Sequence, residues 1–86
     1  MTEQQIQTLV NEIIGQTIGV AADTIGDVDS LIALGADSFH FVELVAHLEA
    51  EFSVTLPYEL SEIGGQTARD YVLEVKRAMG YHRGSN

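Results

Sequence analysis

From His40 to Phe52 the chain reads HFVELVAHLEAEF, a stretch free of glycine and proline whose apolar residues recur at spacings of three and four. That period is the mark of an amphipathic helix and is incompatible with the two-residue alternation of a strand. The run before it, Leu34-Gly35-Ala36-Asp37-Ser38-Phe39, is turn-like, so Ser38 falls at or next to the N-terminus of this helix. The N–H groups of a helix's first turn have no partner within the helix, and the dipole's positive end lies there, so the position favours a phosphate. The Ser38 hydroxyl is therefore the leading candidate for the functional atom.

The same period recurs on both sides. Ile6, Leu9, Val10, Ile13 and Ile14 predict a first helix from about Glu3 to Ile14, with Thr2 and Gln5 as its capping box. Ala68, Tyr71, Val72, Val75 and Met79 predict a last helix running to the region of Gly80, with Thr67 and Asp70 at its start. Between Gly15 and Asp37 lies a long Asp-, Gly- and Ser-rich loop. Its Ile18, Ile25, Val28, Leu31 and Leu34 predict that it is pinned to the core. Pro57 stands at the head of a short helix, Pro57 to Glu62, which Gly64 and Gly65 break. No segment alternates like a strand. The expected fold is all-α, a small four-helix bundle of three main helices plus a short third one. One domain spans residues 1–86, with 81–86 as a frayed tail.

Projected on a helical wheel, the segment after Ser38 has two apolar faces. Phe41, Leu44, Val45, Leu48 and Phe52 form the core face. Val42, Ala46, Phe39 and Ala50 form a second arc, set off by Glu49 and bordered by Glu43, His47, His40 and Glu51. A helix that only packs against a core needs one such face. An apolar centre with a charged rim has the anatomy of a docking surface, and Phe39, Val42, Glu43, Ala46 and Glu49 are its candidate residues. The competing reading is a wider core, with the loop or the short helix covering part of the arc.

The charge is one-sided. Thirteen acidic residues against four basic ones give a net charge of −9, and residues 1–68 contain no lysine or arginine. Such a chain has no electrostatic footprint for nucleic acid, and its field favours basic protein surfaces. Without cysteine it has no disulfide framework and no thiol nucleophile of its own. The N-terminal stretch MTEQQIQTLV has neither the basic start nor the apolar core of a secretion signal, and no apolar run reaches spanning length. A soluble, cytoplasmic monomer is expected.

Several chemistries fail on spacing. Gly35-Ala36-Asp37-Ser38-Phe39 is not a Gly-x-Ser-x-Gly elbow, so a serine hydrolase is not indicated, and nothing pairs a nucleophile with a positioned base. His40 and His47 are seven residues apart, too far for a four-residue zinc pair, and read as a solvated polar face. Asp23, Asp27 and Asp29 lack calcium-loop spacing and read as loop solvation. No metal site and no enzyme activity are predicted. Tyr58 and Tyr71 read as partly buried packing residues.

Leu34-Gly35-Ala36-Asp37-Ser38-Phe39, followed by Val42-Glu43-Leu44 and Leu48-Glu49-Ala50-Glu51-Phe52, resembles the acyl carrier proteins. The resemblance extends to Asp29-Ser30-Leu31, Val54-Thr55-Leu56-Pro57 and Thr67-Ala68-Arg69-Asp70-Tyr71, and is weakest at the termini. It implies that a separate phosphopantetheinyl transferase moves 4′-phosphopantetheine from coenzyme A onto Ser38. The arm's thiol then carries acyl groups as thioesters. It also places Gly35, Asp37 and Phe39 in the segment the transferase recognises, and it implies ketosynthase, acyltransferase or other acyl-processing partners with basic docking patches. For Asp37, capping of the helix is an equal reading.

The departures concern subtype. Phe39 replaces the usual leucine after the modified serine, and His40 and Phe41 follow where polar or acidic residues are common, which alters the partner face. Pro57-Tyr58-Glu59-Leu60-Ser61 is less charged than the corresponding segment of housekeeping carriers. Ala50 interrupts the usual acidic run, and Ala68 and Tyr71 stand where aliphatic residues are typical. These features tilt the reading from fatty-acid synthesis toward a dedicated carrier for polyketide-type synthesis. A peptidyl or aminoacyl carrier, and an unmodified acidic helical adaptor, remain open at this point.

Overall fold

The computed structural model describes residues 1–62 and 66–80. Among them are three α-helices, α1 (Glu3–Ile18), α2 (Ser38–Phe52) and α3 (Ala68–Ala78), and two 3₁₀ turns, Ala22–Thr24 and Tyr58–Ser61. The described residues contain no strand, and the all-α expectation holds. The Gly64-Gly65 break and the 81–86 tail lie outside the described residues.

Each α-helix starts on a reciprocal capping box. Gln5 N–H donates to Thr2 Oγ1 at 3.1 Å, and Thr2 N–H donates to Gln5 Oε1 at 2.8 Å. Thr67 and Asp70 repeat the arrangement at α3, at 3.3 and 2.8 Å. Each box satisfies two donors that the first turn would otherwise leave unpaired.

Helix α1 runs four residues beyond the expected Ile14. Gly15 does not stop it, because that glycine serves packing rather than termination. The chain doubles back there, with Gly19 N–H and Val20 N–H both donating to the Gly15 carbonyl at 2.8 and 3.0 Å. A Cβ on Gly15 would lie 2.6 Å from the Val20 carbonyl oxygen.

The core draws on every segment. Ile6, Val10, Ile13 and Ile14 of α1 meet Phe41, Leu44, Val45 and Leu48 of α2 and Ala68, Tyr71 and Val75 of α3. Ile25, Leu31 and Ala36 come from the long loop, and Leu56 and Leu60 from the second connection. The loop is indeed pinned, by backbone as well as by side chains. Leu31 N–H donates to the Gln66 carbonyl and Arg69 N–H to the Asp27 carbonyl, both at 3.1 Å, while Gln7 Nε2 reaches Asp27 Oδ1 at 2.7 Å. Val28 is the exception, 71% exposed at the loop's outer edge.

The short third helix is a single 3₁₀ turn, Tyr58–Ser61, with Pro57 just before it in an extended conformation. Bonds from Leu60 N–H to the Pro57 carbonyl and from Glu62 N–H to the Glu59 carbonyl span three residues rather than four. Side chains hold it from outside. Tyr71 Oη donates to the Leu60 carbonyl at 2.8 Å, and Gln66 Nε2 donates to the Glu59 and Glu62 carbonyls at 3.3 and 2.7 Å. Tyr71 is fully buried. Burial, and secondarily the Asp70 carboxylate, pushes its phenol well above the usual range, so it stays a donor. Tyr58 departs from the packing expectation: it is 76% exposed, because Leu60 supplies the turn's inward residue.

Candidate functional site

The turn before α2 is built so that its serine faces outward. Leu34 N–H and Ala36 N–H both donate to the Leu31 carbonyl, at 3.1 and 2.9 Å, which folds the chain back on itself. Gly35 in that turn has φ +108°, a conformation that side-chain-bearing residues avoid. Ala36 is buried and anchors the turn, and the next three residues, Asp37, Ser38 and Phe39, are all exposed.

Asp37 is the N-cap of α2. Its Oδ1 accepts from His40 N–H at 3.0 Å, and its own N–H donates to His40 Nδ1 at 3.1 Å. The capping reading of Asp37 is thus met. Ser38 occupies the first helical position, with an exposed hydroxyl beside the amides of the opening turn. That turn contains no acidic residue after the cap. An anion attached to the hydroxyl would meet N–H donors and the positive end of the dipole.

The two faces of α2 separate as the wheel predicts. Phe41, Leu44, Val45 and Leu48 are buried, whereas Phe39 (73% exposed), Val42 (54%), Ala46 and Ala50 point out. Neither the loop nor the 3₁₀ turn covers the second arc, so the wider-core reading fails. Glu43 is exposed beside it. Glu49 is half-buried, and its Oε2 accepts from Leu56 N–H at 2.8 Å, tying the end of α2 to the connection that follows.

Of the three unusual residues after Ser38, only Phe39 belongs to the outer face. Phe41 is fully buried, so its departure concerns the core. His40 closes the cap, and His47 Nδ1 lies 3.3 Å from Thr17 Oγ1, so neither is merely a solvated polar residue. Asp29 Oδ2 accepts from Gly26 N–H at 3.0 Å and Asp27 is taken by Gln7, which gives both a place in loop structure. Among the described residues, no group of three or more His, Cys, Asp or Glu side chains could hold a metal ion. Nor is any helix of the described residues long and apolar enough to cross a membrane.

One contribution escaped the sequence. His40 stands three residues after the cap, the place where a capping box seeks its second member, but glutamate and glutamine are the residues usually sought there.

Comparison with known proteins fits this geometry. The family described as the phosphopantetheine attachment site matches residues 8–69. The chain is 39% identical over 82 residues to an acyl carrier protein of Cyanidioschyzon merolae, across 92% of this chain and 90% of that protein. It is 42% identical over 77 residues to acyl carrier proteins of Chlorobium phaeovibrioides and Chlorobium luteolum, across 86% of this chain and 99% of theirs. Fold and match together define a small helical carrier with covalently held 4′-phosphopantetheine, a class that bears intermediates and does not itself catalyse. The chain belongs to the acyl carrier protein family.

Proposed function

We propose that Ser38 is the residue that receives 4′-phosphopantetheine from coenzyme A and that the chain presents acyl thioesters on that arm to the enzymes of a synthase. The observation that carries this reading is the exposed Ser38 hydroxyl at the first position of α2, directly after the Asp37 cap. The hydroxyl can approach a transferase freely, and the phosphodiester it would form lies where helix amides stabilise negative charge. When bound, the arm supplies the thiol that a chain without cysteine lacks. Gly35 shapes the turn, while Asp37 and Phe39 flank the serine as the segment a transferase would read.

The docking surface is proposed as Phe39, Val42, Glu43 and Ala46, bordered by Glu49. An apolar strip with an acidic rim fits a partner surface that has a shallow apolar recess edged by lysine or arginine. Ketosynthases, acyltransferases and the phosphopantetheinyl transferase are the partners in view, in the cytoplasm. The exposed Phe39 and Tyr58 support a dedicated carrier of polyketide-type synthesis, since they put aromatic surface on the outward side of α2 and of the 3₁₀ turn.

The test is covalent. The protein is incubated with coenzyme A, magnesium and a broad-specificity phosphopantetheinyl transferase, and then weighed intact. A gain of one arm in the parent and none in Ser38→Ala is the expected result. No gain with several transferases would favour an unmodified adaptor, and a gain retained in Ser38→Ala would move the attachment elsewhere.

A further inference from the structure

We infer that His40 is a positioning residue for loading of the arm: its imidazole closes the capping box that holds the Ser38 turn. This rests on the reading of Ser38 as the attachment point. Three observations carry it.

The first is reciprocity. Asp37 N–H donates to His40 Nδ1 at 3.1 Å while His40 N–H donates to Asp37 Oδ1 at 3.0 Å. Ser38 and Phe39 are the two residues enclosed between these bonds, so the box fixes the backbone from which the hydroxyl projects. The second is chemistry. A ring nitrogen that accepts from a backbone N–H carries no proton, so the box closes through the neutral tautomer with its hydrogen on Nε2, whereas a proton on Nδ1 would turn that nitrogen to Asp37 Oδ1, 3.2 Å away. The third is contrast within the chain. Among the described residues the other two boxes close on Gln5 and Asp70, and only the one around Ser38 closes on an imidazole.

The choice of ring has an electrostatic consequence. A glutamate or aspartate in that place would set a second carboxylate beside Asp37, where a phosphodiester has to form. A neutral imidazole satisfies the same N–H without adding negative charge, and the amides of the opening turn keep their attraction for the incoming phosphate. His40 touches neither coenzyme A nor the reacting hydroxyl in this account. It acts through Asp37 and the turn.

Loading rates of the full-length apo protein test the proposal, measured by intact mass at several carrier concentrations with one transferase. His40→Ala is expected to lower kcat/KM about tenfold, with most of the loss in kcat, because the docking arc is intact and only the pose of the hydroxyl has loosened. His40→Gln, which supplies a neutral acceptor of similar reach, is expected to recover the rate to within about twofold. His40→Glu is expected to fall between them, since it closes the box but adds charge. Circular dichroism establishes that each variant is folded. Should His40→Ala fail that criterion, the Gln and Glu pair and the side-chain nitrogen NMR spectrum of the parent carry the test. The spectrum should show Nδ1 bare and Nε2 protonated. Equal rates for a folded His40→Ala and the parent, a His40→Gln as slow as His40→Ala, a His40→Glu as fast as His40→Gln, or the opposite tautomer would each overturn the role. Absence of loading in the parent, or loading of Ser38→Ala, would instead overturn the Ser38 reading.

Discussion

The Tyr71 hydroxyl donates a 2.8 Å hydrogen bond to the Leu60 carbonyl and so fastens the 3₁₀ turn, an element of four residues, to α3. A 3₁₀ turn that short has little stability of its own. Its three grasped carbonyls, Glu59, Leu60 and Glu62, show how it is kept in place. Tyr71→Phe keeps the buried ring and deletes the donor, so it should cost about 1–2 kcal/mol in urea unfolding near neutral pH. Folding raises the phenol above its ordinary value, so the associated stability is fully present below about pH 10 and is lost as pH rises toward the folded-state value. The gap between parent and Tyr71→Phe should therefore narrow in strongly alkaline buffer. A gap that widens there would contradict the assignment.

Glu49 illustrates a residue with two claims on it. Its carboxylate borders the outer arc of α2 and also accepts from Leu56 N–H at 2.8 Å. Glu49→Ala leaves that partly buried amide unpaired and should destabilise by about 1–2 kcal/mol, whereas Glu49→Gln retains an acceptor and should stay much closer to the parent. Thermal unfolding of the two variants side by side separates this structural part from any effect on partner binding, which the Gln variant reports more cleanly.

What the sequence reveals here is what its chemistry decides locally. The boxes at Thr2–Gln5 and Thr67–Asp70 are legible because cap and partner are three residues apart and no tertiary contact is needed. The division of α2 into Phe41, Leu44, Val45 and Leu48 inside and Phe39, Val42 and Ala46 outside follows from the helical period alone. The remainder depends on what arrives from elsewhere in the chain. Gly15 looks like a helix end until Val20 is seen folding over it. Tyr58 and Tyr71 are the same side chain in sequence, yet one points outward and the other is enclosed, because Leu60 and not Tyr58 turns inward. The Glu49–Leu56 bond joins positions seven apart through a change of chain direction that the local pattern does not encode.

Gly15→Ala sets two effects of opposite sign against each other. Alanine is favoured over glycine in a helix interior by about 1 kcal/mol, which would argue for a gain. The new Cβ would lie 2.6 Å from the Val20 carbonyl oxygen, a backbone atom that cannot rotate away. Displacing the segment after α1 also strains the 2.8 and 3.0 Å bonds that Gly19 and Val20 make to the Gly15 carbonyl. The steric term should win, giving a net loss of about 1–3 kcal/mol by chemical denaturation. A variant as stable as the parent would mean that the 19–22 segment shifts freely.

The docking arc is tested most sharply by a pair of substitutions on the same helix. Val42 is 54% exposed and Val45 is 8% exposed, although only three residues separate them. Val42→Asp places a carboxylate in the centre of the outer strip. Little core is lost, so stability should change by less than about 1 kcal/mol. A charge in the apolar centre of an interface must be desolvated without a partner, so association with a transferase or ketosynthase should weaken at least about tenfold. Val45→Asp buries the same charge inside the bundle and should unfold the chain or cost several kcal/mol. Thermal melts and loading kinetics on both variants check the division. A large stability loss in Val42→Asp would assign that residue to the core, and unchanged partner kinetics with an intact fold would remove it from the docking surface.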